Sequence, residues 1–116
     1  MDKPNATGNY LESSSTAMFT YFLAKAINQG YLDSGYKKTA LKAYSALINE
    51  FTLVHADGTT SMTNQCYVAG LGFGRNGSYH YYMSEPVWTN DLKGNFAYII
   101  AGIEIANLLK TEASSL

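Results

Sequence analysis

Three carboxylates near a glycine- and tyrosine-rich segment are the side chains of this sequence best suited to chemistry. Asp and Glu donate protons and activate water in reactions at glycosidic bonds. Glu12, Glu85 and Asp91 qualify because each lies close to predicted loops. Glu12 also precedes a predicted helix, beside serines such as Ser14, where a helix N-terminus favours either an anionic ligand or a capping carboxylate. Both roles for Glu12 stay open at this level.

The segment from Cys66 to Pro86 carries glycines and tyrosines without a helical period. Glycines allow sharp turns and close approach of the backbone to a ligand, and tyrosines offer flat faces with a polar tip. The composition therefore fits a surface for a sugar or another small molecule, or a packed turn region with no ligand. The residues concerned are Gly70, Gly72, Gly74, Gly77, Tyr79, Tyr81 and Tyr82.

Other motifs in the segment give weaker indications. Residues 72–77 spell G-x-G-x-x-G, but the following residues 78–86 are aromatic, β-prone and ended by a proline, whereas a dinucleotide site needs a helix there. The separations of His55, Cys66 and His80 match no metal-binding motif. Cys66 is interpreted as a small buried residue rather than a nucleophile paired with His80.

Apolar periodicity and capping residues define the elements that must position these side chains. The last helix is apolar nearly all round, so it needs neighbours on every side. In chain order we predict an irregular arm over residues 1–9, a helix capped by a serine among residues 13–15 and ended by Gly30, and a second helix capped by Asp33 or Ser34. A short hairpin with a two-residue Asp57-Gly58 turn follows. The last helix is capped by Thr89, Asn90, Asp91 or Asn95 and runs to about Lys110, and residues 111–116 form a frayed tail.

Length and charge limit the function classes. A chain of 116 residues is one domain's worth at most, and a net charge of −1 provides no basic surface for nucleic acid. The longest apolar run is too short and too interrupted to span a membrane. The N-terminal residues lack the apolar stretch of a signal peptide. The compartment stays open between cytoplasm and periplasm, because a targeting signal could lie in a missing upstream portion. The single cysteine excludes an internal disulfide.

Several motifs together resemble the C-terminal part of the unsaturated rhamnogalacturonyl hydrolases, glycoside hydrolase family 105, which is related to family 88. They occur in the family's order from Asn9 to about Leu109: NYLE-S-S-AMF, C-x-VAGLG, GSY-x-YY-x-SEP and ND-x-KG. The resemblance implies an all-α fold, a partial (α/α)6 toroid of about three helices with one short β-hairpin and a Gly/Tyr-rich loop. Residues 10–110 would form the C-terminal portion of that domain.

The resemblance also implies a function. Family members act on unsaturated uronyl groups of pectin fragments: an aspartic acid protonates the double bond, water adds, and no metal or organic cofactor is implied. The expected partner is therefore an unsaturated uronyl oligosaccharide. None of Asp2, Asp33, Asp57 and Asp91 falls on the family's catalytic motif. We therefore expect no catalytic residue here, and sugar contacts at most from Glu12, Ser14, Tyr79, Tyr81 and Tyr82.

Two hypotheses follow. The chain is a C-terminal piece of such a hydrolase, inactive without its N-terminal portion, or it is a non-catalytic helical module that binds carbohydrate or assembles. Since a partial toroid leaves apolar helix faces uncovered, we also expect self-association or pairing with a missing N-terminal portion.

Overall fold

The computed structural model describes residues 3–113, and side chains within residues 3–110. Helices form the body of the molecule, and short two-stranded pairings lie between the second and the last of them. The elements are α1 (Ser13–Asn28), a 3-10 turn (Ser34–Tyr36), α2 (Lys37–Phe51), β1 (Thr52–Val54), β2 (Thr60–Met62), β3 (Gln65–Cys66), β4 (Leu71–Gly72), β5 (Arg75–Asn76), α3 (Tyr79–Ser84), β6 (Val87–Trp88) and α4 (Leu92–Ala113).

This architecture confirms the mostly helical, partial-toroid fold with a small hairpin. Two details differ: the described residues contain four α-helices where about three were expected, and three two-stranded pairings where one short hairpin was expected. The additional helix is α3, a short element inside the segment that we expected to be an irregular loop. Helix α4 also continues to Ala113, three residues beyond the expected end, and residues 114–116 of the expected tail lie outside the described residues.

Helix α1 packs against both α2 and α4 to form the body of the molecule. Small residues at the contacts allow close approach of the helix axes, since Ala17, Ala24 and Ala40 have no exposed surface. Asn28 links α1 to α4 by donating from Nδ2 to the Glu104 carbonyl and carboxylate, at 2.9 Å each. The core side chains are Ala17, Leu47, Phe51, Met62 and Ala97 in one cluster and Ala24, Ala40, Ile105 and Leu108 in another.

Backbone hydrogen bonds join the start of α1, the end of α2 and the start of α4 at one end of the body. Ser13 N donates to Asn64 O at 2.9 Å, Thr63 N donates to Phe51 O at 2.9 Å, and Asn90 N donates to Met62 O at 2.9 Å. Residues 3–12 and 52–91 therefore gather at this end, which we call the rim. The rim holds nearly all of the residues that the sequence suggested for chemistry.

The β1–β2 hairpin confirms the predicted strand pair, with Thr52 opposite Met62, but the prediction of a two-residue turn is wrong. His55 N donates to Thr59 O at 2.8 Å, which leaves a three-residue loop. Asp57 stabilises this loop by accepting hydrogen bonds from Thr59 N and Oγ1, and Gly58 takes the left-handed conformation at φ 84°. A three-residue loop with glycine in that position is the next most common hairpin connection.

Apolar side chains cover the outward faces of α1 and α4. On α4, Phe96, Ile99 and Ile103 are 64%, 59% and 55% exposed, although Ala97 and Ala101 on the opposite face are buried. Met18, Phe19 and Phe22 are likewise exposed on α1. Such stripes normally face a packing partner. Within residues 3–113, no helix combines the length and apolar character needed to cross a membrane.

Candidate functional site

Helix α3 presents three tyrosines at the rim. Its N-cap is Ser78, whose Oγ accepts a hydrogen bond from Tyr81 N at 3.1 Å, and Pro86 follows two residues after its last residue. The expectation that residues 78–86 avoid helix is therefore wrong. A serine cap at one end and a proline beyond the other are standard helix signals, and the aromatic composition between them obscured the pattern.

The three tyrosines predicted as sugar contacts line one groove of about 530 Å³. We call it the tyrosine groove. Its other walls come from the N-terminal arm and from the loops on either side of the β4–β5 hairpin. The lining residues are Lys3, Ala69, Gly70, Leu71, Gly77, Ser78, Tyr79, Tyr81 and Tyr82. A concave surface that combines aromatic side chains with a few polar groups is typical of small-ligand sites.

Each tyrosine ring is held by its own contacts. The Tyr82 ring stacks on Tyr10 with centroids 5.9 Å apart and planes within 4°. The Tyr79 hydroxyl donates to Thr7 O at 2.9 Å, so the arm is fastened to α3. The Tyr81 hydroxyl accepts from Gly70 N at 3.2 Å. The groove is thus pre-formed, which lowers the ordering cost of binding a ligand.

An ion pair lies next to the groove, between β5 and the end of α3. Arg75 Nε lies 3.9 Å from the Glu85 carboxylate, which is 11% exposed. Glu85 also hydrogen-bonds the Tyr81 hydroxyl, and this contact raises the pKa of Tyr81. Of the three candidate carboxylates, Glu85 is therefore the one nearest the tyrosines, but Arg75 and Tyr81 already engage it.

The G-x-G-x-x-G residues form an antiparallel hairpin, in which Leu71 pairs with Asn76 and Gly72 with Arg75. Phe73 and Gly74 at its tip both have positive φ, 52° and 83°, as a type I′ turn requires. A dinucleotide site needs a parallel β-α-β unit with a helix N-terminus at the pyrophosphate. The hairpin excludes that interpretation of the motif, in agreement with the expectation from sequence, although a short helix does follow.

Glu12 caps α1, so the prediction of a serine cap is wrong. Its carboxylate accepts from Ser14 N at 3.0 Å, from Ser15 N at 2.7 Å and from Cys66 N at 2.9 Å, and Ser14 Oγ donates to it at 2.7 Å. Burial raises the pKa of Glu12, but these hydrogen bonds outweigh burial and hold the pKa below its usual value. Glu12 is 6% exposed and lies in a neighbouring hollow rather than in the tyrosine groove.

The predicted site residues therefore separate into two groups. Tyr79, Tyr81 and Tyr82 line the groove, whereas Glu12 and Ser14 bond each other and do not line it. Cys66 lies between the groups, with its thiol beside the Tyr10 hydroxyl. Partial burial raises the pKa of this thiol, so it stays protonated at neutral pH and is a poor nucleophile. Cys66 is half-buried, however, rather than buried as the sequence suggested.

The described aspartates have structural partners. Asp33 accepts from Gly35 N at 2.7 Å ahead of the 3-10 turn, Asp57 holds the β1–β2 loop, and Asp91 caps α4 by accepting from Lys93 N at 3.1 Å. The Lys93 ammonium also holds the pKa of Asp91 below its usual value. Asp2 lies outside the described residues. Within residues 3–113, no group of three or more His, Cys, Asp or Glu side chains has a metal-binding arrangement.

Comparison with known proteins agrees with this architecture. The model of Glycosyl Hydrolase Family 88 matches residues 1–109. Protein Atu3128 of Agrobacterium fabrum and the 24.9 kDa protein in picA locus of Rhizobium radiobacter are each 37% identical over an alignment of 103 residues, and the match covers 81% of this chain and 44% of the relative. The chain thus spans less than half the length of these relatives.

A solved structure shares the fold. The glycoside hydrolase from family 105 of C. acetobutylicum ATCC 824 superposes with a TM-score of 0.87 and 44% sequence identity, over 90% of this chain and 30% of that one. The family model covers nearly the whole sequence and the superposition covers nearly the whole fold. The chain belongs to glycosyl hydrolase family 88.

Proposed function

We propose that the tyrosine groove recognises an unsaturated galacturonyl or glucuronyl sugar, as the C-terminal part of a glycoside hydrolase that acts on pectin or rhamnogalacturonan fragments. The observation that carries the proposal is the convergence of Tyr79, Tyr81 and Tyr82 on one pre-formed groove. Aromatic faces pack on the apolar face of a sugar ring, and hydroxyl and backbone groups bond its hydroxyls. Family membership supports a carbohydrate ligand.

Two of the predicted contacts take a supporting role in this proposal. The Glu12 carboxylate is saturated by bonds to α1 and to Cys66 N, and Ser14 Oγ is directed at Glu12. These residues fix the chain at Cys66 relative to α1, and Tyr10, two residues before Glu12, stacks on Tyr82. The three tyrosines are then the sugar contacts. Glu12 and Ser14 stabilise the backbone near Cys66 and Tyr10 that supports these tyrosines.

Catalysis is assigned to residues outside this chain. Protonation of the substrate's double bond requires a carboxylic acid within reach of the sugar. Among the described residues, the carboxyl group that lies next to the groove belongs to Glu85. This group is already engaged by Arg75 and Tyr81. We therefore propose that the chain binds the sugar but does not hydrolyse it alone.

A disaccharide of unsaturated galacturonate and rhamnose tests both parts. Calorimetry reports binding, and the ultraviolet absorbance of the double bond reports turnover. We expect binding with persistent absorbance, even at high protein concentration. Loss of absorbance would overturn the assignment of catalysis to other residues, and the absence of any heat of binding at millimolar sugar would overturn the sugar site.

A second function, assembly, is favoured by the outward stripe of α4. Leu92, Phe96, Ile99 and Ile103 follow helical spacing and are all more than half exposed. The chain covers 30% of its structural relative, so we propose that either another copy or an N-terminal portion of the protein covers this stripe. When the N-terminal portion is absent, self-association of two copies would bury the stripe.

Light scattering after size exclusion tests assembly. We expect a mass above that of the monomer which falls with dilution, and we expect Phe96→Glu with Ile103→Glu to give a monomer. The control Lys38→Glu changes charge on the exposed surface of α2 and should leave the mass unchanged. A monomer for the unsubstituted chain at high concentration would contradict self-association.

A further inference from the structure

One wall of the tyrosine groove is a cation from the N-terminal arm. Lys3 lines the groove, and its Nζ lies 5.6 Å from the centroid of the Tyr79 ring. Within residues 3–113, no carboxylate pairs with Lys3, whereas Lys25, Arg75 and Lys93 each have an acidic partner. Among the described residues, the contact given for this positive charge is therefore the face of the Tyr79 ring.

The arm that carries Lys3 is fixed by hydrogen bonds rather than loosely attached. The Lys3 carbonyl accepts from Ala6 N at 3.0 Å and from Asn9 Nδ2 at 2.8 Å. Thr7 O accepts from the Tyr79 hydroxyl at 2.9 Å. The first two bonds hold the shape of the arm, and the bond from Tyr79 to Thr7 fastens the arm to the wall that carries the Tyr79 ring.

An ammonium without a carboxylate partner beside aromatic rings suits a ligand that has both an apolar face and a negative charge. A carboxylate on the ligand would replace a weak cation–π contact with a charge-assisted hydrogen bond, which is about twice as strong as a neutral one. A neutral ligand in the same groove would gain nothing from the charge. Discrimination between the two would then depend on Lys3.

We infer that Lys3 determines specificity in the tyrosine groove and selects sugars that bear a carboxylate over neutral sugars of the same shape. The inference rests on the proposed sugar site. It assigns the selection to the N-terminal arm, which lines the groove through Lys3. Lys3 binds the acidic substituent, and the tyrosines bind the ring that carries it.

The test compares two ligands by calorimetry: the unsaturated galacturonyl-rhamnose disaccharide and the same disaccharide with its carboxylate reduced to a hydroxymethyl group. The variants are Lys3→Met and Lys3→Arg, with Lys38→Met as the control that removes the same charge from exposed α2 surface. Thermal unfolding of each variant establishes that it folds. Lys3→Arg keeps the charge on an exposed arm and provides a second measurement if Lys3→Met is poorly folded.

We expect Lys3→Met to weaken binding of the acidic sugar by about two- to tenfold, the range for a charged contact near the surface, and to leave the neutral sugar unchanged. Lys3→Arg and Lys38→Met should keep the wild-type preference. If wild type and Lys3→Met bind both sugars and prefer the acidic sugar to the same extent, the role of Lys3 is overturned but the proposed sugar site is not. Wild type that binds neither sugar overturns the proposed function, and this inference with it.

Discussion

The rim contains two clusters of polar side chains that differ in what occupies their hydrogen-bonding atoms. In the buried hub, formed by Glu12, Gln65 and their partners, the polar atoms bond to the protein itself. Gln65 has no exposed surface, accepts from Asp91 N at 2.5 Å and donates to Asn95 Oδ1 at 3.1 Å. In the tyrosine groove, ring faces and the Lys3 ammonium are directed at a concave, solvent-accessible surface.

This difference separates residues that hold the fold from residues that are available to a ligand. A buried polar group costs free energy unless it is hydrogen-bonded, and the hub meets that requirement by joining α1, β3 and α4. In the groove, Lys3 has no acidic partner among residues 3–113, and the tyrosines are half-buried. We therefore expect hub substitutions to reduce stability and groove substitutions to reduce affinity.

The largest effect is expected for Glu12→Ala. The substitution leaves the N–H groups of Ser14, Ser15 and Cys66 without their acceptor, so we expect a loss of about 2–4 kcal/mol in the free energy of unfolding. Urea denaturation measures it. If stability is unchanged but sugar affinity falls, Glu12 belongs to the groove rather than to the hub.

A smaller loss of stability is expected for Gly94→Ala, of about 1–3 kcal/mol. Gly94 lies in the first turn of α4, where an added Cβ would meet the buried Gln65 side chain, although alanine is otherwise the better helix former. A double-mutant cycle with Gln65→Ala isolates this contact. Additive losses in the cycle would show that the two residues are not coupled.

In the groove, Tyr79→Ala should weaken binding of the unsaturated disaccharide by about three- to tenfold, the range for one aromatic contact. Tyr79→Phe keeps the ring but loses the hydrogen bond to Thr7 O that fastens the arm, so its loss should be smaller than that of Tyr79→Ala. Tyr36→Ala, at an exposed tyrosine ahead of α2, serves as the matched control and should stay at the wild-type affinity. Calorimetry gives the affinities. An equal loss of sugar affinity in all three variants would contradict the distinction between the groove and the rest of the surface.

The smallest effect is a pH dependence that belongs to the hub. The native pKa of Glu12 is below its unfolded value because of the hydrogen bonds it accepts. Its contribution to stability is therefore fully present above the unfolded pKa, near 4.5, and is lost as pH falls through the native pKa. Denaturation between pH 3 and pH 7 should show a steeper decline for wild type than for Glu12→Gln, and parallel curves would contradict the assignment.

The sequence predicts the helical body well because apolar spacing and caps are local signals. Helices α1, α2 and α4 follow the apolar spacing, although Glu12 rather than a serine caps α1 and Asp33 caps the 3-10 turn ahead of α2. The β1–β2 hairpin forms at Asp57-Gly58, but with a three-residue loop. The rim is harder, because its geometry depends on contacts distant in sequence. Glu12 reaches Cys66, Tyr10 reaches Tyr82 and Lys3 reaches Tyr79, and no periodicity reports such contacts.

The sequence predicts only part of the candidate site, because local composition is visible in it and contacts between distant residues are not. The tyrosines were suggested by composition, but α3, which places all three in one groove, was missed although Ser78 and Pro86 mark its ends. Lys3 was missed because it lies in an arm that appeared irregular. Glu12 was suggested for either of two roles, and only the position of Cys66 N shows that its carboxylate is engaged internally.

The most direct test of the distinction between hub and groove is heteronuclear NMR of the labelled chain during titration with the unsaturated galacturonyl-rhamnose disaccharide. We predict that backbone shifts will change in residues 3–9 and 69–82, and that the amides of Ser14, Ser15 and Cys66 will move little. Shift changes concentrated at those hub amides, or none at saturating sugar, would contradict the assignment of ligand recognition to the tyrosine groove.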